Sequence, residues 1–519
     1  MTALKASKVL ANKQDKHDSS VEHSDEGFTI EKFDLLNEIA QGIAAEFALS
    51  DDDLQILMTE FVAQLDDGLG TNDSAIEQLP SFITQVPNGT ETGTYLAVDM
   101  GGTNIRVCAV TLKGDATYSL EQDKILIPSA LMTANSPVVL FEWVAQAVKT
   151  FVERLYPDSE ESDKDNNKLD PQRSFDLGFT FSHATQQDSV ASGRLIRWSK
   201  GFNIDGAVGQ DVCALLQQAL TKLTLPIRVV ALINDTVGTL LAQAYSSPHH
   251  MFTVAGAVFG TGTNCAYVET LSRITKLHLK TAQHHINMVL NTEWGNFDQY
   301  LKVLPDTIYD RAIDAGSVNP GFEMFEKRVS GMYLGELLRL AIVSVLDTPD
   351  VCLFPGARIP QTSSIFCQGS LDTSLMSHLE RDVSADLVLS REKLEHWSGI
   401  RPINTEAVHA IRAMSHAIGK RSAQLSAVAL GAVIVQSQCL NKQGEDGKDW
   451  IGIGVDGTLI ELYPGFITEI RRSLRCLVDI GEAGESRIVI SIAKDGSGVG
   501  AALAAHLIAS AREEMYIAH

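Results

Sequence analysis

Two stretches far apart in the chain share one build. The apolar run Tyr95–Val98 enters the turn Met100-Gly101-Gly102-Thr103-Asn104 and leaves as Ile105–Leu112. The apolar run Phe252–Phe259 enters Gly260-Thr261-Gly262-Thr263-Asn264 and leaves as Cys265–Val268. Each reads as a β-hairpin with glycines at its tip. Glycine lets backbone N–H groups approach an anion closely and form an anion-binding nest. It serves a plain tight turn equally well. A duplicated architecture with one phosphate-binding hairpin per lobe would produce such a pair. No short-period repeat accompanies it. Neither tip is followed by Gly-Lys-Ser/Thr, and neither is GxGxxG, so Walker A and Rossmann readings are disfavoured.

The chain has 519 residues, too many for one hydrophobic core, so two or more domains are expected. Its net charge of −23 argues against nucleic acid and anionic membrane as partners. The same charge repels ATP, so local backbone donors would have to overcome it. The seven cysteines stand singly, with no CxxC and no zinc spacing, which predicts reduced thiols in an intracellular protein. No apolar run reads as long enough to span a bilayer. Residues 1–26 are polar and have no apolar stretch of the signal-peptide kind. A disordered tail over 1–27 and a cytoplasmic location are expected.

Apolar residues at helical spacing predict helices between Phe33 and Leu69. Ser136-Pro137 predicts an N-cap and first helical position, and 158–167 reads as a solvated loop. Phe175–Phe181, Ile227–Ile233, Ile451–Val455 and Ile488–Ile492 read as strands. Thr236–Tyr245 and Val499–Ala511 read as helices.

In the first hairpin, Asp99 stands where a Mg²⁺-bound water could be held, Thr103 adds a hydroxyl, and Arg106 could contact phosphate. In Ile233-Asn234-Asp235-Thr236 a strand ends and a helix begins at a carboxylate. That carboxylate suits a helix N-cap, and it also suits a general base at the end of a strand beside a cleft. Ser182 ends its strand, Ser199 and Lys200 lie between aromatics, Glu293 precedes Trp294, and Glu326 lies near the start of a long helix. Singly, each is as well explained by a surface position beside an aromatic. Together they supply the Asn, Asp, Glu, Lys and Ser groups that would hydrogen-bond a polyhydroxylated ring.

These segments resemble the hexokinase family, and most closely its fungal glucokinases. The resemblance runs from about 75 to 510 through VDMGGTNIRV, LGFTFS, GRLIRWSKGF, NDTVGTLL, FGTGTN, NTEWGNFD, LPDTIYD, NPGFEMFEKRVSGMYLGELLR, GVDGTL and IAKDGSGVGAAL, in the family's order. It implies an α/β, two-lobed, actin-like ATPase (ribonuclease H-like) fold with an interlobe cleft. The divisions expected are a helical segment at 28–93 packing on the large lobe, a small lobe at 94–234 and a large lobe at 235–496. The C-terminal helix, 497–519, would return to the small lobe.

The implied activity is ATP-dependent phosphorylation of glucose at O6, the first step of glycolysis. Asp235 would be the base, with Lys200 beside the transferred group. Ser182, Ser199, Lys200, Asn234, Asn264, Glu293 and Glu326 would contact sugar. Gly101, Gly102, Thr103 and Asn104 would form one phosphate hairpin, and Gly260, Thr261 and Gly262 the other. Asp456, Gly457, Thr458, Gly496 and Ser497 would lie in the adenosine region. Mg²⁺ would arrive with ATP and touch Asp99 and Asp235 only through water. Glucose and ATP are the partners implied.

Several positions depart from the family pattern, and Phe322-Glu323 stands where many hexokinases have Gln-Gln, although fungal glucokinases share the Phe. His183 and Ala184 replace an aromatic and a proline, and Ser199 replaces a threonine. Loss of the proline predicts a more mobile sugar loop, and loss of the aromatic predicts altered packing. Two other readings follow: a hexose other than glucose as substrate, or a sugar-sensing regulator with little turnover. A decayed relative should have lost Asp235, Lys200, Glu293 or the hairpin glycines, and all are present.

Overall fold

The computed structural model describes residues 30–156, 174–248, 250–278, 286–441 and 450–517. The tail at 1–27, the start of the 28–93 segment and the loop at 158–167 lie outside the described residues.

The first elements are α1 (Ile30–Glu46) and α2 (Asp51–Gly70). Ser50 caps α2: its hydroxyl accepts the Asp53 N–H, and the Asp53 carboxylate accepts the Ser50 N–H. Leu54, Leu57, Phe61 and Leu65 recur at helical spacing and enter the larger core. β1 (Leu79–Pro80) follows. Then come β2 (Thr92–Met100), β3 (Asn104–Lys113), β4 (Tyr118–Leu126) and α3 (Pro137–Leu155). Ser136 caps α3 through the Val138 N–H, with Pro137 at the first helical position.

The chain continues through β5 (Phe175–Phe181), the small hairpin β6 (Thr185–Ser189) and β7 (Ser192–Leu195), α4 (Val212–Lys222), β8 (Ile227–Ile233) and α5 (Asp235–Ser246). Next are β9 (Met251–Phe259), β10 (Thr263–Thr270), β11 (Asn287–Asn291), α6 (Glu326–Val329), α7 (Gly331–Leu346) and α8 (Thr405–Gln436). The last are β12 (Trp450–Asp456), β13 (Ile488–Ile492) and α9 (Gly496–Ile517).

The two large sheets have one plan. The first runs β4-β3-β2-β5-β8 and the second β1-β11-β10-β9-β12-β13. In each, three antiparallel strands form a meander, and two parallel strands flank its first strand. β2 thus corresponds to β9, and the two glycine-tipped turns occupy equivalent corners. A helix leaves the last strand of each sheet and packs on the other: α5 lies against β9 and β12, and α9 against β2, β5 and β8. α5 and α9 cross where Gly238 meets Gly500, and a Cβ on Gly500 would overlap the Gly238 backbone. Val237, Leu240 and Leu241 join Val499, Ala501 and Leu503 in a core between the lobes. Each lobe has its own core besides.

One expectation is corrected. α8 is by length and composition apolar enough to cross a membrane, yet it is mostly buried inside the large lobe. Arg421 on α8 donates both guanidinium ends to Asp310, 2.7 and 2.8 Å away, with both groups fully buried. Glu326 opens the four-residue helix α6, just ahead of the long helix α7 that begins at Gly331. The helix breaks at Ser330 because the next N–H groups are needed elsewhere: Gly331 donates to the Gly260 carbonyl at 2.8 Å, and Met332 to that of Thr261 at 3.3 Å.

Candidate active site

The first hairpin tip lines a cavity of about 480 Å³ between the lobes. Gly101, Gly102, Thr103 and Asn104 form one wall, and Asp456 and Lys494 come from the large-lobe side. The turn is closed by the Gly101 N–H on the Asn104 carbonyl at 3.1 Å and anchored by the Ile127 N–H on the Thr103 carbonyl at 2.9 Å. Burial raises the pKa of Asp456, Asp235 and Asp495 add to the shift, and Arg106 opposes it. This local excess of negative charge fits a divalent cation carried with a polyphosphate. Lys124, on β4, lines the cavity too, and neither it nor Lys494 was among the expected site residues.

Arg106 lines the cavity as expected of a phosphate contact, and it also makes a structural tie. Its Nε and Nη2 donate to Asp99 Oδ2 at 2.9 and 2.6 Å, and Nη1 donates to Asp495 at 3.1 Å. The Ser497 hydroxyl lies 2.8 Å from the same Asp99 oxygen and 2.6 Å from Arg106 Nη2. The guanidinium therefore ties the first hairpin to the start of α9. Ser497 is buried beneath the hairpin as part of that tie, and Gly496 packs on Thr239 of α5. Neither lines the first-hairpin cavity.

The second tip faces the turn after β12. The Gly260 N–H donates to the Gly262 carbonyl at 2.9 Å, Thr261 is exposed, and Gly457 lies directly on the Phe259–Gly260 backbone. Thr458 begins the short helix that follows Gly457, and its N–H approaches Gly260. The two hairpins thus open onto one cleft, with Asp456 shared between their surroundings.

Asp235 Oδ2 lies 3.8 Å from Lys200 Nζ. The N-cap of α5 is Asn234, whose Oδ1 accepts from the Thr236 N–H at 2.9 Å and the Thr236 hydroxyl at 2.8 Å. Asn234, not Asp235, is the N-cap; Asp235 Oδ1 also takes the Thr236 N–H at 2.9 Å, which leaves Oδ2 facing Lys200. Lys200 in turn lies over Gly102, where an added Cβ would come within 2.8 Å of the lysine Cβ. The first hairpin, the lysine and the carboxylate are consecutive neighbours.

The two glutamates close the other side. Glu293 Oε1 accepts from Asn291 Nδ2 at 2.8 Å and Asn264 Nδ2 at 3.3 Å. The Asn264 Oδ1 in turn accepts the Cys265 N–H at 2.8 Å. Glu326 Oε2 accepts the Thr263 N–H at 2.8 Å and sits under Gly262. Burial raises the Glu293 carboxyl to about 7 against the pull of Arg197, with Glu77 adding to the rise. Burial raises Glu326 to about 8, Glu323 adding to it and Lys200 opposing. Glu293, Lys200 and Glu323 all hold positive φ, at 53°, 57° and 52°. Such strain in non-glycine residues collects at working sites.

Ser182 is buried at the end of β5, its N–H on the Met100 carbonyl at 3.2 Å. Ser199 lies beside His183, with Oγ and Nδ1 2.9 Å apart. His183 and Ala184 are both buried. The His183 ring packs among Phe181, Trp198 and Phe202 at centroid distances of 4.9–5.1 Å, so it keeps an aromatic's place. Ala184 is buried, and its carbonyl takes the Ile196 N–H at 2.9 Å. Asn291, Arg197 and Glu77 also belong to the site. The first two stand inside motifs already noticed; nothing in the sequence points to Glu77.

Family models described as "Hexokinase" match residues 39–245 and 254–507. The glucokinase of Aspergillus niger is 46% identical over 494 residues, 92% of this chain and 98% of that protein. The chain belongs to the hexokinase family. Glucokinase-1 of Saccharomyces cerevisiae is 39% identical over 492 residues, covering 89% of this hexokinase-family chain and 95% of the relative. The hexokinase of Schistosoma mansoni solved with glucose superposes with a TM-score of 0.78 at 32% identity, over 92% of this chain and all of the other. The two-lobed actin-like fold is thus common to this chain and the solved hexokinases.

Proposed function

We propose that this chain transfers the terminal phosphoryl group of ATP to the O6 hydroxyl of glucose, giving glucose 6-phosphate and ADP. The observation that carries the reading is the Asp235 carboxylate, 3.8 Å from Lys200, between a glycine-tipped anion cradle and a set of buried sugar-type hydrogen-bonding groups. ATP supplies the phosphoryl group, and Mg²⁺ offsets its charge. Asp235 accepts the O6 proton, a contribution of about 10²–10⁴-fold for a positioned base. Lys200 adds positive charge beside the transferred group, and the two hairpins hold phosphate through backbone N–H groups. Glu293, Glu326, Asn264, Asn234, Ser182 and Ser199 orient the ring so that O6 faces the carboxylate. Lobe closure on the sugar excludes water as a competing acceptor.

A coupled assay of the purified protein with ATP, Mg²⁺ and a panel of hexoses tests this. Turnover with glucose as the preferred sugar is expected. Sugar binding without turnover would overturn the kinase reading.

A further inference from the structure

Arg197 belongs to the small lobe, between β7 and α4, yet its guanidinium ends on carboxylates of the other lobe. Nη1 donates to Glu77 Oε1 at 2.8 Å, and Nη2 stands 3.9 Å from Glu293 Oε2. Glu77 moves with the large lobe. Its carbonyl accepts Lys276 Nζ at 2.6 Å, the Gln78 N–H beside it donates to the Thr292 carbonyl at 3.1 Å, and Leu79 pairs with Asn291. Glu77 is therefore anchored to the strand that leads into Glu293. One Glu293 oxygen is held by the amides of Asn264 and Asn291, and the other faces Arg197.

We propose that Arg197 is a positioning residue for the sugar site, clasping Glu77 and Glu293 so that the Glu293 carboxylate stays aimed at the sugar and the lobes stay tied beside it. This rests on the reading of Glu293 as a sugar contact. The physical reason is charge. Glu293 sits among Glu77, Asp235 and Glu326, and Glu323 lies behind Glu326. Lys200 is engaged with Asp235, which leaves Arg197 as the cation facing the Glu293 side. The rigid guanidinium fork sets one nitrogen 2.8 Å from Glu77 and the other 3.9 Å from Glu293, a fixed geometry that a flexible lysine ammonium does not reproduce.

Three variants with the wild type decide it, by steady-state kinetics and glucose titration calorimetry. R197Q should raise the glucose KM and Kd about 5-fold or more while kcat stays within about threefold, because the Lys200–Asp235 pair is untouched. R197K should recover part of that loss. E77Q should raise KM less, and R197Q with E77Q together should lose less than the product of the two single effects. An active wild type with unchanged glucose KM in R197Q overturns the clasp alone. So does a kcat loss without a KM change, or an equal defect in R197Q and R197K with a lowered Tm. A wild type that turns over no hexose overturns the sugar-kinase reading instead, and the clasp's role in that reaction with it.

Discussion

The imidazole Nδ1 of His183 and the hydroxyl oxygen of Ser199 lie 2.9 Å apart, and the Ser199 backbone N–H approaches the same nitrogen at 3.4 Å. Burial and the nearby Lys200 hold the His183 pKa well below the usual range, so the ring is neutral. A group that looks in the sequence like a lost aromatic keeps the aromatic packing and adds a hydrogen bond to the residue before Lys200.

His183→Phe should therefore leave the fold intact, because the ring's place among Phe181, Trp198 and Phe202 is filled. It should release Ser199, at a cost of about 1 kcal/mol. Steady-state kinetics should show glucose KM raised about 5-fold. An unchanged KM would mean that the hydrogen bond does not orient the sugar loop.

Asp235→Asn keeps the size of the side chain and removes the base. The expected result is a fall in kcat of about 10²-fold or more, with glucose still bound by calorimetry. Wild-type kcat would remove the base assignment.

The glutamates predict opposite pH effects on binding and stability. Both folded pKa values are raised, to about 7 for Glu293 and about 8 for Glu326. Protonation removes an acceptor, so the glucose KM should rise as pH falls from about 8 toward 6. A carboxyl with a raised folded pKa favours the folded state while protonated, and that stability is lost as pH rises from the unfolded value, 4.5, through the folded one. Glu326→Gln should thus weaken glucose binding strongly and raise Tm at neutral pH, about 2–4 °C for each kcal/mol released. Melting curves with E326Q no more stable than wild type would contradict the burial argument.

Two glycine substitutions separate the roles of the hairpins. A Cβ at Gly102 would come within 2.8 Å of the Lys200 Cβ, and one at Gly262 within 2.7 Å of Glu326 Oε2. Gly102→Ala should lower kcat by shifting the lysine. Gly262→Ala should raise the glucose KM although it lies in a phosphate hairpin. Identical profiles for the two variants would show that both act only through nucleotide.

At the lobe crossing, Gly500→Ala would force apart α5 and α9 at Gly238. Overpacking of this kind costs about 1–3 kcal/mol or more. A melting temperature equal to wild type would mean that the crossing relaxes freely.

Local chemistry was enough to read both hairpins, the caps at Ser50 and Ser136, and the strand-to-helix step at Asp235, because glycine, proline, apolar period and capping hydroxyls act over a few residues. The ordered motifs carried the family and with it the sugar and phosphate inventory. Tertiary structure decided the rest, since it depends on partners far along the chain. Arg106 lines the first-hairpin cavity, but its tie to Ser497, 2.6 Å away, is visible only in the fold. His183 looked like a loss until Trp198 and Phe202 enclosed it. Glu77 carried no signal at all, because a carboxylate acquires meaning only from the charge that the fold sets against it.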